Sequence, residues 1–350
     1  MKVLFLSNIP SPYQIDLINE MNKYCEFYGC FLHKTEKDRD WKSNLTGNKQ
    51  IIILNHKNKF TDYLKYYKIL SRIKPDVIII GGYSLPLSLF SLFFTKIFSK
   101  QSIFWLERPI NSYGKHKEKL KKLYLTAVLG SASKIFAIGK TAQDYYIQFN
   151  KTIYNIPYSM YLQQFYKIER EPKDKIRFLF SGQYIDRKNI INLIQAFKNI
   201  PTKNIELNLL GSGELKEQVQ RMIQTDKRIN ILGFVQPKNL PNIYAQNDIF
   251  ILPSKHDGWA LVINEAMAAA MPIISTKHVG AMVEFIKHKD NGYICDIDVK
   301  SIMESISFYS TNYEMILKHG KRNRSIIKES LGDSKNIAKE IYRILEENNE

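Results

Sequence analysis

ILPSKHDGWALVINEAMAAAMPIIS, residues 251–275, decides the reading of the fold. A short apolar run ends at Pro253, a polar loop carries Ser254, Lys255, His256 and Asp257, a helical pattern follows, and Pro272 opens another apolar run. The order is therefore strand, loop, helix, strand. The helical pattern (Leu261, Val262, Glu265, Ala266, Ala269, Ala270) turns small in its later part, which suits close approach to a sheet. Glu265 interrupts a segment too apolar to carry an unpaired charge without cost.

Asp257 and Glu265 lie eight residues apart. If the helix starts near Asp257, the two side chains fall within about 80° of one face. In open α/β sheets ligands bind beyond the carboxyl ends of the strands, so the loop after residues 250–252 is where a small molecule belongs, and two acids there suit a hydroxyl-rich one. The plainer alternative makes Asp257 a helix cap and Glu265 a satisfied buried acid.

The segment PSKHDGWALVINEAMAAAMPII resembles the acid-x7-acid signature of retaining family-four glycosyltransferases, whose usual form is roughly PSxxEGFGxxxxEAMAxGxPVI. Asp257 stands for the first glutamate and Ala270 for the usual glycine. The resemblance implies that Asp257 lies near the transferred sugar and that Glu265 binds the ribose hydroxyls. It extends in order along the second half. Gly182-Gln183 and Arg187-Lys188-Asn189 resemble the GRxxxxKG loop that holds the donor diphosphate, with Gln183 for its arginine, Asn189 for its glycine, and Arg187 available to supply the missing charge as a bidentate guanidinium. Gly211-Ser212-Gly213 resembles the GxGP-like turn, and Gly233-Phe234-Val235 the strand end that contacts the base. The implied donor set is Gly182, Gln183, Arg187, Lys188, Gly211, Gly213, Phe234, Val235, Ser254, Asp257, Gly258, Trp259, Ala260, Leu261 and Glu265.

In the first half the match is mainly one of rhythm. Residues 3–6 read as a strand, and Pro10-Ser11-Pro12-Tyr13 stands where the family often has a glycine pair near the donor phosphates and acceptor. Ser11, Pro12 and Tyr13 form either that acceptor and phosphate loop, ahead of a helix N-terminus, or a plain connection. Residues 77–80 are fully apolar, which implies a sheet covered on both faces. The apolar run 84–98, broken by Pro86 and Lys96, is shorter than the roughly 20 residues of a spanning helix and is expected to be a buried helix. Glu107 follows the next strand where many family members carry a histidine near the sugar; a hydrogen bond to a ligand hydroxyl and an ion pair with Arg108 or Lys115 are the competing roles.

With 350 residues, 44% hydrophobic and 12% aromatic, the chain suits two globular domains. Three cysteines, Cys25, Cys30 and Cys295, lack metal-ligand spacing and point to free thiols in a reducing compartment. The first six residues are too short for a signal segment, so a cytoplasmic protein is expected. Of the net charge of +17, residues 1–170 supply +14, with 26 Lys and Arg against 12 Asp and Glu. A polyanion or anionic surface is the matching partner. Residues 115–122, KHKEKLKK, open a helix with Leu120, Leu123, Tyr124 and Ala127 at helical spacing, which is either a basic amphipathic membrane-surface helix or a solvated face.

The fold class expected is α/β of GT-B architecture: two Rossmann-like domains, 1–165 for the acceptor and 174–332 for the donor, facing each other across a cleft. A helix at 333–350 crosses back to the first. The expected activity is retaining transfer of a sugar from a nucleotide-diphosphate sugar, a UDP-sugar first, to a lipid-linked or polysaccharide acceptor in bacterial surface glycan synthesis. Asp257, Glu107, Lys188 and Arg187 are the catalytic set, at the inner face of the plasma membrane. No cofactor and no metal are expected, nor an Asp-x-Asp site of the GT-A kind. The rivals are a UDP-sugar 2-epimerase of the same fold and a basic nucleic-acid-binding protein; the latter leaves the ordered donor motifs unexplained, so no nucleic-acid partner is expected.

Overall fold

The computed structural model describes residues 1–35, 49–54, 59–109, 115–171 and 173–347. The chain divides into two compact units, Met1–Met160 with Ser334–Glu350, and Tyr161–Asp333.

The first unit alternates β1 (Lys2–Ser7), α1 (Pro12–Met21), β2 (Glu26–Phe31), β3 (Ile51–Ile53), α2 (Lys59–Ile73), β4 (Val77–Ile80), α3 (Ser88–Ile97), β5 (Gln101–Leu106), α4 (Lys115–Gly130), β6 (Lys134–Ala137), α5 (Lys140–Tyr146) and β7 (Ile153–Asn155). The strands pair in parallel in the order β3-β2-β1-β4-β5-β6-β7. The order reverses between β1 and β4, the switch point where doubly wound sheets hold ligands. Strands such as β4, buried at every residue, need helices on both faces. Residues of α2, α3, α4 and α5 pack with Leu4, Leu6, Ile78, Ile80, Phe104 and Leu106 in one core.

Two expectations for this unit change. The run 84–98 is not a fully buried helix: Leu87, just ahead of α3, and Leu92 and Phe94 within it turn inward, while Leu89, Phe93 and Ile97, at i, i+4 and i+8, stand exposed. In α4 the apolar positions divide likewise. Leu125, Val128 and Leu129 enter the core, and Leu120, Leu123 and Tyr124 stay exposed. The side chains of Lys115 and Lys117 lie outside the described residues.

The second unit contains β8 (Ile176–Ser181), α6 (Ile190–Lys198), β9 (Ile205–Leu210), α7 (Lys216–Ile223), β10 (Ile229–Gly233), α8 (Leu240–Gln246), β11 (Ile249–Leu252), α9 (Leu261–Ala268), β12 (Ile273–Thr276), α10 (Gly280–Phe285), β13 (Gly292–Cys295), α11 (Val299–Tyr309) and α12 (Tyr313–Glu329). Its parallel sheet runs β10-β9-β8-β11-β12-β13, with the switch between β8 and β11. The boundary falls at Met160, earlier than residue 165, and the stretch between the two expected domains belongs to this unit. Phe165 packs edge-on against Tyr244 at 5.2 Å, and the Arg170 guanidinium donates to the carbonyls of Ala269 (2.6 Å) and Tyr244 (3.0 Å).

The chain then returns to the first unit as α13 (Ser334–Glu346), whose Ile337, Ile341 and Leu345 are buried as their spacing predicts. The rings of Tyr24, just after α1, and Tyr342 stack at 5.4 Å. Buried Lys134 Nζ donates to the Ile344 carbonyl at 2.6 Å.

Three places where the sequence replaces a glycine of the second-half motifs are left-handed in the backbone: Asn189 at φ 59°, Ala260 at φ 69° and Ala270 at φ 52°. Asparagine tolerates this region, and Asn189 Nδ2 also donates to the Ile297 carbonyl at 2.7 Å. Alanine tolerates it less. Ala270 follows the last turn of α9, where the Met271 N–H donates to the Ala266 carbonyl (2.9 Å) and the Ala270 N–H to that of Met267 (3.0 Å), the Schellman pattern that favours glycine. The Ala270 carbonyl is in turn pressed by Gly320 of α12, where an added Cβ would sit 2.0 Å from it. Ala270→Gly should therefore raise the midpoint of urea unfolding, with a gain of up to about 1 kcal/mol after the entropy of glycine is subtracted. Gly320→Ala should lower it by about 1–3 kcal/mol.

Candidate active site

Beyond the carboxyl ends of β8, β9, β10 and β11 the loops of the second unit are tied to one another. The Gly211 N–H donates to the Gly233 carbonyl (2.8 Å), the Gly182 N–H to Leu210 (3.0 Å) and the Tyr184 N–H to Ser212 (2.8 Å). Side chains are excluded at the crossings. A Cβ on Gly211 (φ 130°) would lie 2.0 Å from the Gly182 carbonyl oxygen, and one on Gly213 2.6 Å from that of Tyr184. Gln183 and Phe234 are exposed on this rim and Val235 is half-buried.

A charged cluster stands at the switch point. Arg187 and Lys188 lie in a 3-10 turn, Asp186–Lys188, ahead of α6. Lys188, only 8% exposed, is paired with Asp257, and the Arg187 guanidinium stands 3.5 Å from the same Asp257 oxygen while donating to the His256 carbonyl at 2.9 Å. Two cations and a carboxylate thus meet where β8 and β11 part. The anion that offsets the cations at this helix start is Asp257 itself.

Asp257 is not on a helix, so the shared helical face with Glu265 does not exist, nor does Asp257 cap one. α9 starts four residues later, at Leu261, after a left-handed Ala260 (φ 69°). The loop is anchored from the far side instead: the Asp257 N–H donates to the His278 carbonyl (3.0 Å), its carbonyl accepts from the Gly280 N–H (3.1 Å), and the Ala281 N–H donates to the Trp259 carbonyl (3.0 Å). A Cβ on Gly280 would lie 2.2 Å from the Gly258 carbonyl oxygen. Ser254 and Trp259 are buried, and Leu261 is half-buried.

Glu265, 6% exposed, accepts a hydrogen bond from Tyr244 of α8 at 2.5 Å. Tyr244 is itself fully buried, stacks on Phe250 at 6.1 Å, and also shares a hydrogen bond with Ser181, the last residue of β8. Burial pushes the Glu265 carboxyl up to about 7, and the Tyr244 hydroxyl partly offsets it. Sequence reasoning missed Tyr244 and Ser181. Their only signal was a tyrosine in the short helix ahead of β11 and a serine at a strand end.

In the first unit the predicted residues gather around one that was not predicted. Tyr13, second residue of α1, has its ring 4.8 Å from that of Tyr158, and Tyr158 hydrogen-bonds both Tyr13 and Glu107. Pro12 opens the helix, where its missing N–H costs nothing, and the Ser11 N–H donates to Gln14 Oε1 at 3.3 Å. Burial pushes the Tyr158 hydroxyl well above its ordinary range, so it remains a neutral donor. The Glu107 carbonyl accepts from Tyr146 at 2.9 Å.

Contrary to the expectation of no Asp-x-Asp site, two such tripeptides occur. Asp38-Arg39-Asp40 lies outside the described residues. In Asp296-Ile297-Asp298 the second acid caps α11, accepting from the Ser301 N–H at 3.0 Å, and the Asp296 N–H donates to Ser301 Oγ, so this pair shapes a helix start.

A stability signature follows from Glu265. A carboxyl raised from 4.5 to about 7 binds its proton more tightly folded than unfolded between those values, so folding stability falls as pH rises through that window. Wild type should lose up to about 3 kcal/mol relative to Glu265→Gln between pH 4.5 and 7. In Tyr244→Phe, which removes the lowering hydrogen bond, the loss should extend to higher pH. Urea unfolding of the three proteins across this range is the measurement.

Residues 163–326 match the family described as glycosyl transferases group 1. N-acetyl-alpha-D-glucosaminyl L-malate synthase of Bacillus anthracis is 28% identical over 157 residues, 43% of this chain and 40% of the relative. The capsular polysaccharide biosynthesis glycosyltransferase CapM of Staphylococcus aureus is 26% identical over 194 residues, covering 54% and 49%. The chain spans about a third to a half of the length of the first curated relatives it matches. Among solved structures, Anabaena HepE in complex with UDP superposes with a TM-score of 0.79 over 99% of this chain and 100% of that one, at 18% identity. The rim with Lys188, Asp257 and Glu265 thus lies in a stretch, 163–326, that matches glycosyl transferases group 1, on a chain whose fold is that of the GT-B glycosyltransferases.

Proposed function

We propose that the chain is a retaining, metal-independent glycosyltransferase of the family-four kind that moves a sugar from a UDP-sugar to a lipid-linked or polysaccharide acceptor in bacterial surface glycan synthesis. The observation that carries the reading is the pairing of Arg187 and Lys188 with one carboxylate at the switch point of the second sheet. Two cations held beyond strand ends suit a diphosphate, and they are in place before it arrives. Glu265 accepts the ribose hydroxyls, exposed Phe234 and the backbone at Val235 meet the base, and Asp257 turns to the sugar. The UDP in the HepE complex supports the choice of base, and the name of CapM supports the acceptor class.

In the transfer an acceptor hydroxyl oxygen bonds to the anomeric carbon on the face from which the sugar–phosphate bond breaks. Its proton passes to the departing β-phosphate oxygen. Arg187 and Lys188 stabilise the charge that develops there, and no divalent ion is required. Glu107, with Tyr13 and Tyr158, binds the acceptor hydroxyls in the first unit. That unit also carries the charge asymmetry, which suits work at the cytoplasmic, anionic face of a membrane; among the described residues no helix is long and apolar enough to cross one.

Nucleotide release across a panel of nucleotide-sugars, with and without a lipid-linked acceptor, is the test. Release of UDP that depends on acceptor and survives EDTA is expected; a product formed from donor alone would instead identify an epimerase, and restoration of a chelated, inactive protein by manganese would overturn metal independence. Lys188→Ala should lower kcat on the order of 100-fold with little change in acceptor KM. Glu265→Gln should weaken UDP binding in calorimetry by about 1.5–3 kcal/mol.

A further inference from the structure

The sequence leads one to expect a hidden α3, and its outward face is instead an exposed apolar stripe. Phe93 is 65% exposed, Ile97 57%, and Leu89 and Phe98 51% each. On the same side of the sheet, Leu64 and Tyr67 of α2 and Leu120, Leu123 and Tyr124 of α4 are exposed as well. These helices share a face because right-handed crossovers β3-α2-β4, β4-α3-β5 and β5-α4-β6 all travel in one direction along the sheet. Scattered apolar residues are ordinary on a surface, whereas three neighbouring helices each turning an apolar stripe outward mark an interaction site.

The charges interleaved with these stripes select the partner. Exposed Lys65, Lys68 and Arg72 lie on α2, Lys96 on α3, and Lys119 and Lys122 on α4. α3 contains no acid, and Asp62 of α2 is buried; exposed Glu118 is the acid on the described part of α4. A second copy of the chain would bring these cations against themselves. An anionic lipid leaflet supplies both complements, phosphate groups for the lysines and an acyl boundary for the aromatic and branched side chains.

We propose that α3 is an in-plane insertion helix. Leu89, Phe93, Ile97 and Phe98 enter the headgroup–acyl boundary of an anionic bilayer while the cations of α2 and α4 rest on its phosphates. The inference builds on the membrane location proposed above and assigns it to particular residues. Charge alone makes binding reversible and strongly salt-dependent; the apolar stripe adds a part that salt does not screen.

The test is co-sedimentation of the full chain with vesicles of phosphatidylcholine, alone or with phosphatidylglycerol, at low and high salt. Wild type is expected to bind the anionic vesicles and to keep a residual fraction at high salt. The double substitution Phe93→Ser with Ile97→Ser, which removes apolar groups from the surface and leaves the core intact, should reduce partitioning at least about tenfold and abolish the salt-resistant fraction, with unchanged thermal unfolding and UDP affinity. In Phe93→Trp, vesicles with brominated acyl chains should quench the added fluorescence. Binding by the double variant equal to wild type, with loss on changing Lys119, Lys121 and Lys122 to glutamine, would overturn insertion by α3 and leave the membrane location standing. Absence of wild-type binding to anionic vesicles would overturn both. A wild-type mass of two chains in light scattering that the double variant returns to one would assign the face to self-association and overturn the proposal.

Discussion

An ammonium group that is nine-tenths buried has to be neutralised where it lies, and for Lys188 the neutralising group is the Asp257 carboxylate. The pair spans the point where β8 and β11 separate, so it fixes two loops that the sheet leaves free. The Lys255 N–H donates to the Arg187 carbonyl (2.9 Å) and its Nζ to Asp186 (2.6 Å), which adds two further ties along the same seam. Removing Asp257 leaves the Lys188 ammonium as an uncompensated buried charge, so Asp257 holds the loop together as well as serving the sugar. The glycines follow from this closeness: Gly211, Gly213 and Gly280 occur where neighbouring backbones come too near for a Cβ.

The acids Glu265 and Glu107 meet contrasting surroundings. Glu265 is enclosed by apolar walls with Tyr244 as a hydrogen-bond donor, which leaves its carboxyl divided between charged and neutral forms near neutral pH. Exposed Glu107 carries Tyr158 as a phenol that burial keeps protonated, so Tyr158 keeps a proton to donate beside it.

Much of the second unit could be read from its residues because its loops are built by local rules. Each strand ends in residues whose turn chemistry is visible in sequence, and the motifs follow in order. Asn189 and Ala270 stood out as substitutes for glycine, and both proved left-handed. The helix α9 starts later than its apolar pattern implies because Ala260 takes a positive φ; the signature has glycine at this position, whereas alanine itself gives no sign of the turn. β2 gives little sign of itself in the sequence, since EFYGCF alternates poorly and holds Gly29 within it, where a Cβ would meet Ile18 at 2.6 Å. The exposure of α3 was invisible for a different reason. The face turned inward carries the small hydroxyl residues Ser88, Ser91 and Thr95, so the helix hides its less apolar side and leaves the stripe of Leu89, Phe93 and Ile97 outside, the reverse of what amphipathic patterning leads one to expect. Tyr158 and Tyr244 act through partners far away in sequence, which no local pattern encodes.

Because α13 completes the first unit, that unit is made of two pieces of chain separated by the whole of the second, and the Ser334 N–H bonded to the Met160 carbonyl at 3.0 Å marks where they rejoin. During synthesis from the amino end, residues 161–333 emerge as one continuous stretch and can close their own core. The first sheet must wait with one flank open. Until α13 arrives, Lys134 lacks the Ile344 carbonyl and α1 lacks the helix packed against it, so the first unit, begun before the second, is completed after it.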